Sequence, residues 1–416
     1  MKTENIQDKI LSSREQKASK IQFLKSDFKT VITVKSNIPG NEKRNRFAYI
    51  LVDYFMRKIP RDIYTKRWYY DSFDGPYYLM GSNLDSKEIK NLTMDLEDNN
   101  PIGRFIDIDV FNGKNTFSRN KMRRCYLCEK PAFVCIRESN HSVKELNEHL
   151  EKVVFNFFID DLLRLVNQSM ILELNLHPKF GLVTPITSGS HNDMNYDLMI
   201  KAKDSIIPLF KDMFIIGFSN QNLQNIFNQI KKIGIKAERA MYEATNNINA
   251  YKGLIFNLGI TVTAYAYCLY NHISLNNIFK IIKEMTKEIL SDFDRNDIDS
   301  NGYYSYKKFN ILGARGEVYN GLPSVQNALN YLKDFSQESR LRTLMYLISV
   351  SNDTVLLKRS KSIENYRYIK KLFNDNLKSS NKEVERINSY CIKNNLSFGG
   401  SADLLILTIF LKKLLT

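Results

Sequence analysis

The 416-residue sequence is poor in cysteine, tryptophan and proline, with five, one and nine of each. So few cysteines over such a length exclude a disulfide-stapled secreted scaffold and point to a reducing compartment. Residues 1–9 lack the apolar run of a signal peptide, so a cytoplasmic location is expected. Low-complexity linkers and internal repeats are missing too, which argues against a repeat array and for domains that abut directly. Acidic residues fall short of basic ones, 45 Asp+Glu against 60 Lys+Arg, a formal charge of +15. That balance favours an anionic partner: nucleic acid, an anionic membrane, a polyphosphate ligand or an acidic protein. Against nucleic acid, the Lys and Arg residues are dispersed and no standard nucleic-acid module is visible.

Long apolar runs are scarce as well. Residues 253–279 contain no Lys, Arg, Asp or Glu and are long enough to span a bilayer. Asn257, Thr261, Thr263, Asn271, His272, Asn276 and Asn277 interrupt them, so a buried central helix and a polar turn are expected instead of a membrane span.

What is present is a globular composition, 43% hydrophobic and 25% charged, in a chain too long for one ordinary core. Residues 4–25 carry Ile6, Ile10, Leu11, Ile21 and Leu24 at helical spacing, 28–34 read as a strand and 46–59 as an amphipathic helix. Pro60 and the aromatic run to Gly81 predict turns and a short strand, 86–96 a helix and 104–111 another strand. This mixture predicts an α+β domain over residues 1–152. Beyond it, patterns such as Leu223, Ile226, Phe227, Ile230 and Ile233 follow one another, and residues 153–416 read as an all-α domain. The limit is placed near Lys152, in or just after the helix that begins at Ser142.

Four segments in the helical half share one chemical palette: 177–193 (HPKFGLVTPITSGSHND), 249–253 (NAYKG), 313–324 (GARGEVYNGLPS) and 399–403 (GGSAD). Glycine allows close backbone approach and free N–H groups at helix starts, which suits phosphates. Lys179, Lys252 and Arg315 add charge for a polyphosphate, and Asp193, Glu317 and Asp403 add groups that hold Mg²⁺ or act as a base. Singly, each segment is an ordinary helix end and turn, and His191 alone is an ordinary hydrogen-bonded histidine. Four together favour a site.

With Glu173, HPKFGLVTP, SGSHNDM, IGIKAERAM, NINAYKG, FNLG, GARGEVYNGLPSV and GGSADLL in order, residues 160–416 resemble triphosphoribosyl-dephospho-CoA synthases. Phe180 stands where proline is expected, Tyr251 where histidine is usual and Thr184 where many relatives carry Asp, so position 184 receives no catalytic role. The resemblance implies that the ribose 2′-hydroxyl of dephospho-CoA attacks the anomeric carbon of ATP, releasing adenine. It implies a cationic cradle of Lys179, Lys252 and Arg315, with Mg²⁺ on some of Asp193, Glu317 and Asp403 and proton handling by His191 or Glu317. Ser188, Gly313, Gly316, Gly399, Gly400, Ser401 and Asp403 complete the expected binding loops.

In the first half, residues 103–110 read GRFIDIDV. A strand there places Ile106, Ile108 and Val110 on one face and Asp107 and Asp109 on the other. The carboxylates are then roughly 6–7 Å apart along the strand. That spacing lets them share divalent ions during displacement at phosphorus, although a solvated acidic face gives the same pattern. Arg119, Lys121, Arg123 and Arg124 form a basic run, either a solvated loop or a phosphate-binding or acidic-partner surface. Cys125, Cys128, Cys135 and His141 offer a zinc ligand set, but the middle spacing is short and 131–136 read as apolar packing. Buried free thiols are therefore favoured over zinc. Residues 297–302 (DIDSNG) imitate the start of a calcium loop, but its twelfth position is Lys308 where a glutamate is required, so a polar turn is expected.

SSREQKASKIQFL, NPIGRFIDIDV and RRCYLCEKPAFVCIRESNHSVKEL make residues 5–150 resemble the apo-citrate-lyase phosphoribosyl-dephospho-CoA transferases, or holo-acyl-carrier-protein synthases. The resemblance implies that a carrier-protein serine attacks the α-phosphate of the triphosphoribosyl group and releases pyrophosphate. Asp107 and Asp109 would bind Mg²⁺, Arg104 would steady the phosphates, and the partner would be the acidic acyl carrier subunit of citrate lyase. The two halves would then act in succession on one molecule. The same chemistry serving malonate decarboxylase is the nearest alternative, and the cysteine-rich motif favours citrate lyase.

Overall fold

The β-branched run in TVITVKS forms β1 (Thr30–Ser36), the middle strand of an antiparallel sheet, with Ile32 and Val34 fully buried. The computed structural model describes residues 5–113, 115–116, 122–293 and 301–415. It falls into two compact units divided between Asp160 and Asp161.

In the first unit β1 is preceded by α1 (Ile6–Asp27) and followed by α2 (Arg46–Lys58), β2 (Lys66–Ser72), β3 (Gly75–Ser82), α3 (Ser86–Asp98), β4 (Ile106–Asn112), β5 (Asn115–Thr116) and α4 (Ala132–Arg137). The strand order is β2-β3-β1-β4-β5, so the expected α+β character holds. The aromatic run before Gly81 makes two strands instead of one. β2 is an edge strand whose Trp68 and Tyr70 pack on the core while Tyr69 between them is exposed, so three consecutive aromatics hide the alternation. Residues Gly103–Phe105 form a 3₁₀ turn, and the acidic strand starts two residues later than expected, at Ile106.

One sheet face carries Ile32, Val34, Met80, Ile106, Ile108 and Val110, all buried against α2 and α3. α2 starts where Asn45 accepts a hydrogen bond from the Ala48 N–H (2.9 Å) and stops before Pro60. On the opposite face, α1 packs Ile21 and Leu24 on Val31, Tyr77 and Leu79. The same face continues into polar residues, since Lys35 lies across from Asp107 and Thr33 from Asp109.

The helix α5 (Val143–Leu174) runs through the division. The second unit continues with α6 (Tyr196–Gly217), α7 (Leu223–Ala244), α8 (Lys252–Tyr270), α9 (Ile278–Met285), α10 (Asn301–Phe309), α11 (Gly313–Tyr319) and α12 (Pro323–Tyr331). Then come α13 (Gln337–Val350), α14 (Thr354–Arg359), α15 (Ile363–Asp375), α16 (Asn381–Lys393) and α17 (Gly399–Leu415). This is the expected helical half. α8 and α17 are apolar on nearly every side and pack together at its centre, with α6 and α7 against α8 and α12 and α13 against α17. α8 is long and apolar enough to cross a membrane, but 78% of its most apolar stretch is buried inside the protein, as a core helix requires. Arg119 and Lys121 of the basic run, and positions 297–300 of the calcium-loop imitation, lie outside the described residues.

Candidate functional site

The segments joining the central helices enclose a cavity of about 570 Å³ in the second unit. The first residues of α8, α11, α14 and α17 all line it, so their positive dipole ends surround one space. Glu173, Lys179, His191, Lys252, Gly313, Arg315, Glu317, Gly399, Gly400 and Asp403 are among the lining residues. Residues more than 200 positions apart in sequence thus meet at one site. Gly253 permits the approach of Asp403 to the start of α8, because a Cβ there would lie 2.4 Å from Asp403 Oδ2.

The cations of the site differ in what they already hold. Lys179 is buried and its Nζ lies 3.0 Å from Glu173 Oε1, so its charge is matched within the protein. Lys252 is half-exposed at the first position of α8 and pairs with Glu238 at 3.1 Å. Burial lowers the Lys179 ammonium below its ordinary value, against the pull of Glu173.

Burial likewise holds the Glu317 carboxyl above the usual range, although Ser324 Oγ donates to its Oε1 at 2.5 Å. His191 Nε2 lies 2.9 Å from Ser397 Oγ, and its Nδ1 is 3.7 Å from Asp193 Oδ1. Burial and then Arg359 depress the His191 imidazolium, which favours the neutral ring. Asp403 is held well above the carboxylate range by burial first, then by Asp353 and Glu173. Among the described residues no hydrogen bond to its carboxyl is present.

Asp193, Ser188, Gly316 and Ser401 do not line the cavity. Asp193 is an exposed neighbour of His191. Ser401 lies behind the lining, donating from its backbone N (2.8 Å) and Oγ (3.0 Å) to Asp353. The sequence did not single out Asp353. Its carboxylate also accepts from the Val355 and Leu356 N–H groups, so one buried side chain caps the starts of both α14 and α17. Phe180 has φ +53°, a conformation closed to the proline expected there, and Tyr251 is buried in the lining.

In the first unit the alternation read from GRFIDIDV holds: Ile106, Ile108 and Val110 are buried, while Asp107 is half-buried and Asp109 exposed. The protein mass around Asp109, then Asp107, pushes its carboxyl up. Arg123 pairs with Asp107 and lies 3.6 Å from Glu97. Lys35 pairs with Asp74, which also accepts from Arg14 Nε at 3.0 Å. Arg104 lies beside this group, donating from Nε to the Arg124 carbonyl (3.0 Å) with its guanidinium 4.8 Å from the Tyr126 ring. Glu97 and Lys90 of α3 occupy the outer edge of β4, taking the Ile108 N–H (2.6 Å) and carbonyl (3.2 Å).

The ligand atoms of Cys125, Cys128, Cys135 and His141 all lie within 4.8 Å of one another. The apolar packing expected over 131–136 is not found, since Phe133 and Ile136 are 56% and 76% exposed.

Residues 159–416 match the family described as ATP:dephospho-CoA triphosphoribosyl transferase (CitG). Residues 6–157 match the apo-citrate lyase phosphoribosyl-dephospho-CoA transferase family (CitX). The chain is 31% identical to Protein CitXG of Leuconostoc mesenteroides subsp. cremoris, over 97% of this chain and 96% of that protein. Protein CitXG of Haemophilus influenzae is 29% identical over 79% of this chain and 77% of its own. The 2-(5''-triphosphoribosyl)-3'-dephosphocoenzyme-A synthase of Haemophilus ducreyi is 31% identical over 70% of this chain and 99% of its own.

Proposed function

Because the chain belongs to the bifunctional family that joins an apo-citrate lyase phosphoribosyl-dephospho-CoA transferase to an ATP:dephospho-CoA triphosphoribosyl transferase, we propose how its residues divide the two reactions. The enzyme converts ATP and 3′-dephospho-CoA to 2′-(5″-triphosphoribosyl)-3′-dephospho-CoA with release of adenine. It then transfers the phosphoribosyl-dephospho-CoA group to citrate lyase, releasing pyrophosphate. The synthesis step is assigned to residues 153–416 and the transfer step to residues 1–152. The match of residues 6–157 favours citrate lyase over malonate decarboxylase. The acceptor is a serine of the acidic acyl carrier subunit, met by a chain of charge +15 in the cytoplasm.

The observation that carries the first reaction is the convergence of helix starts, cations and buried acids on one cavity. The triphosphate lies toward Lys252, Arg315 and the start of α8, where backbone N–H groups and the helix dipole favour anions. Neutral His191 takes the proton of the attacking 2′-hydroxyl as the new C1′–O bond forms. Glu317, whose carboxyl burial raises above its ordinary value, gives a proton to adenine as the C1′–N bond breaks. Asp403, without a hydrogen bond among the described residues and beside Asp353 and Glu173, offers oxygen donors that fit Mg²⁺ better than exposed Asp193 does. In the first unit, Asp107 and Asp109 on one sheet face fit the same ion, with Arg123 and Lys35 flanking them as phosphate partners. Mg²⁺ bound at these carboxylates would neutralise charge on the phosphates.

The division is tested by separating the two activities. Asp107→Asn and Asp109→Asn chains should keep adenine release and lose carrier-protein labelling by about 10²-fold or more, since a metal's charge stabilisation is worth several kcal/mol. Glu317→Gln should lose adenine release, yet label the carrier when supplied with the triphosphoribosyl intermediate. Full adenine release by Glu317→Gln, or intact labelling by the aspartate variants, would overturn the assignment.

A further inference from the structure

The segment after the acidic strand is closed upon itself. Cys125 N donates to the Lys130 carbonyl at 2.8 Å and Ala132 N to the Arg123 carbonyl at 2.9 Å, with a bridge between Arg124 and Pro131. Inside this turn the Cys125 sulfur is approached by the backbone N–H groups of Leu127 and Cys128. α4 then returns Cys135 to the same point, and the chain beyond it brings His141. Cys128 Sγ lies 3.3 Å from both Cys135 Sγ and His141 Nε2, and Asn140 Nδ2 is 3.9 Å from Cys135 Sγ.

We propose that Cys125, Cys128, Cys135 and His141 hold a structural zinc ion. Tetrahedral zinc with bonds of about 2.0–2.3 Å sets ligand atoms somewhat under 4 Å apart, within the range this cluster spans. Three sulfurs and one imidazole are a zinc ligand set, and four protein ligands leave no open position, so the ion is structural and not catalytic. N–H groups directed at a ligating sulfur, here from Leu127, Cys128 and Asn140, are the outer shell that orients thiolates. A packed apolar core does not explain the convergence, because Met122, Leu127, Phe133 and Ile136 around it are all exposed.

The site has a purpose beyond its own loop. The turn it closes carries Arg123, which pairs with Asp107, and Tyr126, whose hydroxyl donates to the Asn37 carbonyl at 2.6 Å. Tyr126 also packs edge-on against Phe105, ring centroids 4.9 Å apart. Zinc thus fixes the arginine that stands over the acidic strand. That last link rests on the proposed role of Asp107 in carrier transfer; the metal site itself does not.

The test is metal analysis of the full chain, purified without chelator, together with Cys128→Ser, Cys135→Ser and His141→Ala variants. One zinc per chain is expected in the parent, with loss in the variants while adenine release persists. Titration of the folded parent with an organomercurial should release the zinc as the clustered thiols react, which needs no variant to fold. Zinc at background level in the parent even after incubation with Zn²⁺, unchanged zinc in the variants, or a Cys128–Cys135 disulfide found by mass spectrometry would each overturn the proposal. If zinc is present and its removal leaves carrier labelling intact, the metal site stands and its link to Asp107 falls.

Discussion

Lys179 Nζ lies 3.0 Å from Glu173 Oε1, and the two side chains are only 2% and 3% exposed. A lysine that reads in sequence as part of a phosphate cradle therefore spends its charge on an internal partner. Removing one member leaves the other charged and buried, which costs about 3–5 kcal/mol. Glu173→Leu and Lys179→Met should each lower the urea midpoint of the second unit, and the double variant should lose less than either single one. Additive losses would show that the pair is not coupled.

Lys252 is the contrasting case, more than half exposed and paired with Glu238. Loss of one charge-assisted contact to phosphate, about 1.5–3 kcal/mol, amounts to about tenfold or more in affinity. Lys252→Gln should therefore raise the KM for ATP by about that factor while leaving the unfolding midpoint unchanged. Steady-state adenine release against ATP concentration measures it, and an unchanged KM would remove Lys252 from the triphosphate site.

Lys35 gives a pH prediction. Burial depresses its ammonium from 10.5 to about 8, against the opposing pull of Asp74. Between those values the unfolded chain carries a proton that the folded chain has released. The lysine's contribution to stability therefore rises with pH through this window and is lost as pH falls through about 8. Lys35→Met should flatten the pH dependence of unfolding of the first unit across that range. Parallel curves for parent and variant would contradict the depressed value.

Periodicity made much of this molecule legible. Alternation placed Asp107 and Asp109 opposite Ile106, Ile108 and Val110, and 3.6-residue spacing marked the helices beyond residue 150. β2 escaped because three aromatics in a row, Trp68, Tyr69 and Tyr70, hide the alternation between its packed and exposed faces. The four loops were visible as chemistry, but their convergence is tertiary: His191 reaches Ser397 across 206 positions. Asp353 was hidden for a different reason. In sequence it is an ordinary helix cap before Thr354, and only folding gives it the start of α17 as a second helix to cap. For the cysteine cluster, spacing argued against zinc, whereas the fold of α4 brings Cys135 back to Cys125 and Cys128.

The most direct test incubates the full chain with ATP, Mg²⁺ and dephospho-CoA and follows adenine by chromatography. The account predicts adenine release that requires dephospho-CoA and yields a product able to label the citrate lyase carrier protein. Folded protein that binds ATP yet releases no adenine when dephospho-CoA is added would contradict it.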